Sequence, residues 1–335
     1  MWKTTEYTAA GRRHLRDGIP CQDKVCTYRN GNVTVITLAD GAGCAKMSHF
    51  GAEAVTRCIS RELGEHFERY FEESDALIVR QRFCSKMLEA LKKTQAKLHC
   101  DLRDLSSTLL AVAVSGTRHF IVHIGDGVIG YLKDDEIKTA TYPHNGDFAN
   151  ETFFTTDNSV ISHMRIIKGD DEKIHGFVLM SDGTGNVLFD KKTGKLSRGI
   201  RRIMQMSVMC PEHSMQSLLS DTFDSLVLKL TQDDCSISVL ADTSAFPSFG
   251  DMSVPEKLEL LQLESNARYK SKRIWQTGEI LRIASGGACA AQIARKTHIN
   301  PKHINKKLEF LLSLGLIEAD HGRYYSESVV KCASA

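Results

Sequence analysis

The stretch Val33-Thr34-Val35-Ile36-Thr37-Leu38-Ala39-Asp40-Gly41 is a β-branched, apolar run that ends in a carboxylate and a glycine. Such a run suits a buried strand whose tip delivers Asp40. The arrangement recurs along the chain. Gln22-Asp23, Gly125-Asp126, Ser181-Asp182-Gly183 and Asp233-Asp234 each set an aspartate at or near the end of an apolar segment. A lone aspartate there is ordinarily a turn former or a helix cap. Taken as a set, they suggest a site for hard divalent cations, which take oxygen ligands, with phosphate chemistry as the obvious use. Glycine follows Asp40, Asp126 and Asp182, which lets the backbone turn sharply and bring a carbonyl or water close to an ion. Were Asp23, Asp40, Asp182 and Asp233 to converge, their mutual repulsion would call for one or two divalent ions.

Working outward from this strand, two amphipathic helices follow. Ala52, Val55, Cys58, Ile59, Leu63 and Phe67 recur at helical spacing, and a second helix from about Asp75 to His99 lines up Val79, Phe83, Met87, Leu91 and Leu98. Strand signals then return at Thr108 to Val114, His119 to Ile124, Val128 to Leu132, Ile161 to Ile167, Gly176 to Met180 and Cys235 to Leu240. Turn residues such as Gly125-Asp126-Gly127 and Lys133-Asp134-Asp135 break the series, which implies antiparallel pairing. Two further helices, roughly Leu196 to Met209 and Ser214 to Leu230, separate the last two strands. Residues 1–243 therefore predict an α+β layered domain with helices outside two sheets.

The whole chain of 335 residues is 42% hydrophobic and 25% charged, the make-up of a soluble globular protein with room for two domains. No apolar run approaches the roughly 20 residues of a membrane helix, and Met1-Trp2-Lys3-Thr4 opens no signal peptide, so a cytoplasmic location away from membranes is expected. Ten cysteines without a Cys-x-x-Cys pair read as reduced, mostly buried thiols. The net charge of +2 is unevenly spread: from Arg268 onward 12 Lys/Arg stand against 5 Asp/Glu, marking a distinct basic unit. Between the two, residues 244–272 read as a linker, turn-rich at Ala245 to Gly250 and then helical from Val254 to Asn266.

In their order, several segments carry a resemblance: Gly11-Arg12-Arg13-His14, Gly18-Ile19-Pro20-Cys21-Gln22-Asp23, Leu38-Ala39-Asp40-Gly41-Ala42-Gly43, Ser107-Thr108, Gly125-Asp126-Gly127, Asn150-Glu151-Thr152, Met180-Ser181-Asp182-Gly183 and Asp233-Asp234. From roughly Lys3 to Asp242 the chain resembles the protein phosphatase 2C family of metal-dependent serine/threonine phosphatases, most of all its prokaryotic branch. The resemblance implies an antiparallel β-sandwich flanked by helix pairs, with two Mn2+ or Mg2+ ions at one end. It further implies hydrolysis of phosphoserine or phosphothreonine in a phosphorylated protein substrate, in signalling or regulation, by water activated between the ions. Carried over by position, Asp40 and Asp182 would be the catalytic pair, with Asp40 bridging the ions. The Gly41 carbonyl and Asp23 would serve one ion, Asp182 and Asp233 the other, and Asp126 a weaker third, where Asn186 replaces a frequent acidic ligand. Many members have a histidine general acid soon after the Asp-Gly pair; here Ala42-Gly43-Cys44 follows, leaving His14, His49 and His144 as candidates. Gly18 stands where the family places its phosphate-holding arginine, so Arg13, His14 or Arg16 would bind phosphate. Asn150, Glu151 and Thr152 fall at the family's mobile flap, or form an ordinary polar turn.

Residues 273–330 predict three helices and a hairpin. Glu279 to Ala284 ends at Gly286-Gly287, Ala291 to Ala294 starts a short second helix, Asn300-Pro301 opens a third running to Leu314, and His321-Gly322 forms a tight turn. This resembles a small winged helix-turn-helix domain. Its third helix would pack Ile304, Leu308, Leu311 and Leu312 inward and present Lys302, His303, Asn305 and Lys306 to nucleic acid, with a partner protein as the other implied ligand. A different reading of the chain is a DNA-binding regulator whose phosphatase-like domain senses a phosphorylated ligand without turning it over.

Overall fold

In a computed structural model, residues 1–144 and 152–327 are described. The strands are β1 (Trp2–Ala9), β2 (Lys24–Asn30), β3 (Val33–Ala39), β4 (Leu109–Ser115), β5 (Arg118–Ile124), β6 (Val128–Lys133), β7 (Glu136–Thr141), β8 (Arg165–Asp170), β9 (Ile174–Met180), the short β10 (Phe189–Asp190) and β11 (Lys195–Leu196), and β12 (Cys235–Asp242). They build two five-stranded sheets, ordered β2-β3-β4-β5-β8 and β1-β12-β9-β6-β7, and the small β10-β11 ribbon. Pairing within the first sheet is antiparallel throughout.

Period-two alternation divides the apolar residues of β3, β4 and β5 between two interiors. Val35 and Ala39 of β3, Leu109, Ala111 and Ala113 of β4, and Phe120, Val122 and Ile124 of β5 pack against the helices α2 (Ser48–Glu72) and α3 (Ala76–Leu98). On the opposite faces, Ile36, Leu38, Leu110, Val112, Val114 and Ile121 meet Ile129, Phe177, Leu179 and Leu240 of the second sheet. Strands covered on both sides have no solvent-facing row to fill with polar residues, which is why β3 and β4 read as continuous apolar runs. The predicted helical stripe is present: Ala52, Val55, Ile59, Leu63 and Phe67 on α2, and Val79, Phe83, Met87 and Leu91 on α3, are all buried. Asp75 caps α3 by accepting from Leu77 N at 2.8 Å, and His99 ends it in the left-handed region.

Departures from the sequence expectations fall where apolar periodicity is weak. Strands β1 and β2 and the helix α1 (Arg12–Asp17) go unmarked by it; both strands lie at sheet edges, and edge strands keep polar residues. Ile161 to Ile167 is not one strand: Val160–His163 forms a helical turn, α4, before β8. The helix expected over Ser214 to Leu230 divides into α7 (Glu212–Thr222), a π-helical turn at Phe223–Val227 and the short α8 (Leu228–Leu230). Upstream lie α5 (Asp182–Leu188) and α6 (Gly199–Met209).

The chain forms two compact units. One comprises Trp2–Met204 and Ser220–Ala241; the other comprises Gln205–Leu219 and Asp242–Ala335, together with Met1. The second unit therefore takes in a segment that a linear boundary at residue 243 assigns to the first domain. Within that unit the Ser214 hydroxyl donates to the Ile317 carbonyl at 3.1 Å. Gly315, at φ +69, lies so close to Leu218 that a Cβ would come within 2.4 Å of its Cδ1. The helix α9 (Val254–Leu260) carries a Ser253/Glu256 capping box. Three helices follow, α10 (Lys270–Ala284), α11 (Ala290–Thr297) and α12 (Pro301–Ser313), then a hairpin of β13 (Glu318–Asp320) and β14 (Arg323–Tyr325). Asn300 caps α12 by accepting from Lys302 N at 2.9 Å, and His321 and Gly322 both take positive φ at the hairpin turn.

The sandwich interior yields a direct test. Replacing Leu110, fully buried between the sheets, by alanine is expected to destabilise the protein by about 2–5 kcal/mol, whereas Leu77→Ala on the exposed face of α3 should stay within about 0.5 kcal/mol. Urea unfolding followed by circular dichroism distinguishes the two.

Candidate metal and phosphate site

Strand register gathers the aspartates at one end of the sandwich. Lys24 pairs with Ala39, so Asp23, just before β2, and Asp40, just after β3, leave the first sheet side by side. In the second sheet Met180 pairs with Ile237 of β12 and with Val128 of β6, which brings Asp182, Asp233 and Asp126 to the matching end. The chain crosses from β5 in one sheet to β6 in the other through Gly125-Asp126-Gly127. Gly125 sits at φ +102 with a Cβ position only 2.5 Å from Thr108 Cγ2, so a side chain there would be strained twice over. A cavity of about 170 Å³ results. Asp40, Gly41, Asp126, Asp182, Asp233 and Asp234 line it, with Arg13, His14 and Thr152 among the other residues of its wall.

Backbone contacts hold Asp40 in place. Its N–H donates to Thr108 Oγ1 at 2.9 Å and its carbonyl accepts from Thr108 N at 2.8 Å. Asp23 is fully buried; neither of its oxygens makes a well-formed hydrogen bond, although the Ser181 and Ser236 hydroxyls lie near enough to favour its charged form. Burial first, and the charge of Asp234 second, push the Asp23 carboxyl up to about 7. Burial likewise raises Asp40 far above the ordinary carboxylate range, with Asp23 and Asp182 adding to the shift, and raises Asp182 to about 6. Asp40 and Asp182 lie close enough for each to shift the other, a hydrogen bond between them favouring the protonated form of Asp40 and the charged form of Asp182. Among the described residues no three acidic, histidine or cysteine side chains close on one point at ligand distance. Asp40, Asp126, Asp182 and Asp233 share the cavity, and the buried Asp23 adds its charge to theirs. A set of oxygen donors with the buried, poorly satisfied Asp23 carboxylate near them suits a hard divalent ion.

Asp234 plays a part that the sequence reading missed. It is buried, and its Oδ1 accepts from Gly11 N at 2.7 Å and meets His14 Nδ1 at 2.9 Å, while Oδ2 accepts from Gln22 N at 2.6 Å. One carboxylate thereby fastens α1 and the approach to Asp23 onto the start of β12. Its neighbour Asp233 is exposed and lines the cavity. The signal was present in the doublet: consecutive residues entering a strand point to opposite sides, so only one of two acids can face solvent and the other needs donors.

The other expected site residues are distributed unevenly. His14 lines the cavity, whereas His49 packs at a tilt against Phe50 at the start of α2 and His144 packs on Phe153 and His163; neither is part of the cavity wall. Arg13 lines the cavity; after the Arg16 hydrogen bond, its charge helps to hold the Asp17 carboxyl low, and its guanidinium makes no hydrogen bond or ion pair among the described residues. Arg16 pairs with Asp17 on the exposed side of α1. Thr152 donates to Asp126 Oδ2 at 2.6 Å, while Asn150 and Glu151 lie outside the described residues. Asn186 is exposed and belongs to a different cavity. All nine described cysteines are free, and Cys44 is exposed. Burial, with the charge of Asp23 adding, pushes the Cys235 thiol up to about 12, so it is no nucleophile at neutral pH.

A family model for protein phosphatase 2C matches residues 10–223, and the chain belongs to that family. Its members are metal-dependent serine/threonine phosphatases. Serine/threonine-protein phosphatase 3 of Escherichia coli strain K12 is 25% identical over 194 residues, which cover 54% of this chain and 73% of that protein. A bacterial serine phosphatase superposes with a TM-score of 0.51 at 16% identity, covering 72% of this chain and 98% of its own. A bacterial serine phosphatase carrying a point mutation superposes at 0.50, again at 16% identity and with the same coverage. Identities this low establish the shared fold alone.

The raised carboxyls make stability depend on pH. A carboxyl whose pKa is higher folded than unfolded favours the folded state at low pH, and that contribution is lost as pH climbs from about 4 through about 7 for Asp23. With a chelator present, the melting temperature should fall between pH 5 and pH 8. Asp23→Asn should flatten that fall and raise the pH 8 value, each kcal/mol moving it by about 2–4 °C. A melting temperature that rises over this range, or an Asp23→Asn profile identical to wild type, contradicts the electrostatics described.

Proposed function

We propose that this chain hydrolyses phosphoserine and phosphothreonine in phosphorylated proteins in the cytoplasm, using Mn2+ or Mg2+ held at the strand ends. The observation that carries the reading is the gathering of the buried Asp23 with the half-buried Asp40 and Asp182 at one end of the sandwich, all three pushed toward their protonated forms. Asp40, the Gly41 carbonyl and Asp23 would hold one ion, Asp40, Asp182 and Asp233 a second, and Asp126 a weaker third. When bound, such ions supply an activated water and neutralise charge on the phosphate oxygens.

The remaining work falls to the chain itself. The Arg13 guanidinium at the cavity wall takes a phosphate oxygen pair, the geometry its planar fork suits. His14 has Nδ1 committed to Asp234, which leaves Nε2 to hand a proton to the departing serine oxygen. Thr152, anchored on Asp126, fixes one edge of the opening. Among the described residues, no helix is long and apolar enough to cross a membrane.

Hydrolysis of an aryl phosphate and of a phosphoserine peptide should require Mn2+ or Mg2+ and stop under excess chelator. Asp40→Ala and Asp182→Asn should each lower kcat/KM by about 100-fold or more, and Arg13→Ala should raise KM more than it lowers kcat. Full activity of the aspartate variants would sink the proposal.

A second reading concerns the basic unit. Lys302, His303, Asn305 and Lys306 of α12 are exposed while Ile304, Leu308 and Leu311 are buried, and the helices are followed by a hairpin, which supports a winged helix-turn-helix that binds DNA. Mobility shifts over a salt series should then show steep salt dependence, with Lys302→Glu and Lys306→Glu each lowering the log–log slope by about 1. No shift at low salt assigns the unit to a protein partner. DNA binding without any hydrolysis would favour a regulator that senses a phosphorylated ligand.

A further inference from the structure

Next to the acidic cavity lies a second one of about 440 Å³. The two share Phe154, and the chain passes from the wall of one to the wall of the other between Gly43 and Cys44. Its remaining walls come from the short turn Leu102–Leu105 with Ser106, and from Thr156 to Asn158. Both carboxylates in it are already committed to backbone donors: Asp104 Oδ2 accepts from Asp101 N at 3.0 Å, and Asp157 Oδ2 from Phe154 N at 2.7 Å. The Ser106 hydroxyl donates to the Arg103 carbonyl at 2.8 Å and lies 2.7 Å from the Thr156 hydroxyl. Arg103 is exposed, and its guanidinium makes no hydrogen bond or ion pair among the described residues. Each carboxylate thus has one oxygen on a backbone N–H, whereas the Arg103 guanidinium, the cavity's cation, holds no donor–acceptor contact and stands beside a reaction cavity lined by aspartates.

We infer that this second cavity is the subsite for the polypeptide flanking the phosphorylated residue, and that Arg103 selects a carboxylate side chain there. The inference rests on the phosphatase reading above. Its volume accommodates a short stretch of peptide, and a guanidinium fork matches a carboxylate in geometry as well as charge. An aryl phosphate has no flanking chain and never reaches Arg103. Peptide and aryl substrates must therefore respond differently to changes here.

Three substrates separate the possibilities: an aryl phosphate, a phosphoserine peptide flanked by glutamates, and the same peptide flanked by lysines. Wild type should favour the glutamate peptide over the lysine peptide by about three- to fivefold in kcat/KM, the size of one exposed ion pair. Arg103→Glu should reverse that order and leave aryl phosphate turnover within about twofold. Cys44→Trp, which fills the cavity from an exposed position, should slow both peptides and spare the aryl phosphate. Fluorescence anisotropy with the two labelled peptides gives a readout independent of turnover, in which Arg103→Glu should weaken the glutamate peptide selectively. Equal preference for both peptides in wild type and Arg103→Glu, by turnover and by binding, overturns the inference. Absence of aryl phosphate hydrolysis would instead count against the phosphatase reading, while the anisotropy series still decides the subsite.

Discussion

Mutual repulsion among Asp23, Asp40 and Asp182 is the constraint around which the first unit is organised. Buried carboxyls close enough to raise one another's proton affinity weaken a fold unless protons or a cation neutralise them. Two apolar interiors oppose that weakness, one under α2 and α3 and one between the sheets. Both interiors run up to the strand ends, where Ala39 and Ile124 on one side and Leu38, Leu110 and Leu179 on the other are fully buried. The frame is therefore rigid where the charges sit, and the carboxylates cannot relax apart. Rigid placement of like charges is what an ion site needs and what a fold without one would avoid.

The cavity rim depends on a single buried carboxylate. Asp234 ties Gly11, His14 and Gln22 to the start of β12, and these anchors set where Arg13 and Asp23 can lie. Close packing reinforces the tie, since a Cβ on Gly11 would stand 2.3 Å from the Asp233 carbonyl carbon. Asp233 and Asp234 thus divide two tasks between adjacent positions, one facing the cavity and the other holding the N-terminal segment against it.

The second unit has a comparable dependence on residues far away in the chain. Gln205–Leu219 packs with the segment after Asp242, through Ser214 on the Ile317 carbonyl and Leu218 over Gly315. Separating the chain at residue 243 would remove these partners from the C-terminal helices. The loss would strip Gly315 of the Leu218 side chain and the Ile317 carbonyl of the Ser214 hydroxyl.

Apolar runs, helical stripes and turn residues were sufficient to place β3 to β6, β9, β12, α2 and α3, because strong periodicity reflects burial on a fixed side. Aspartates at strand ends, read with the motifs of protein phosphatase 2C, were enough to point to the family that the chain belongs to and to nominate carboxylates that the fold gathers at one end of the sandwich. Edge strands β1 and β2 escaped because their stability comes from backbone pairing, which leaves little mark on side-chain type. Register, and hence which carboxylates become neighbours, emerged only in three dimensions, as did the burial that raises their proton affinity. The separate roles of Asp233 and Asp234, the exclusion of His49 and His144 from the cavity wall, and the open charge of Arg103 beside a second cavity also required the folded chain. Sequence by itself determines which residues are apolar, ionisable or free to turn; partners more than 200 positions apart, such as Gly11 and Asp234, are decided by packing that no local pattern encodes.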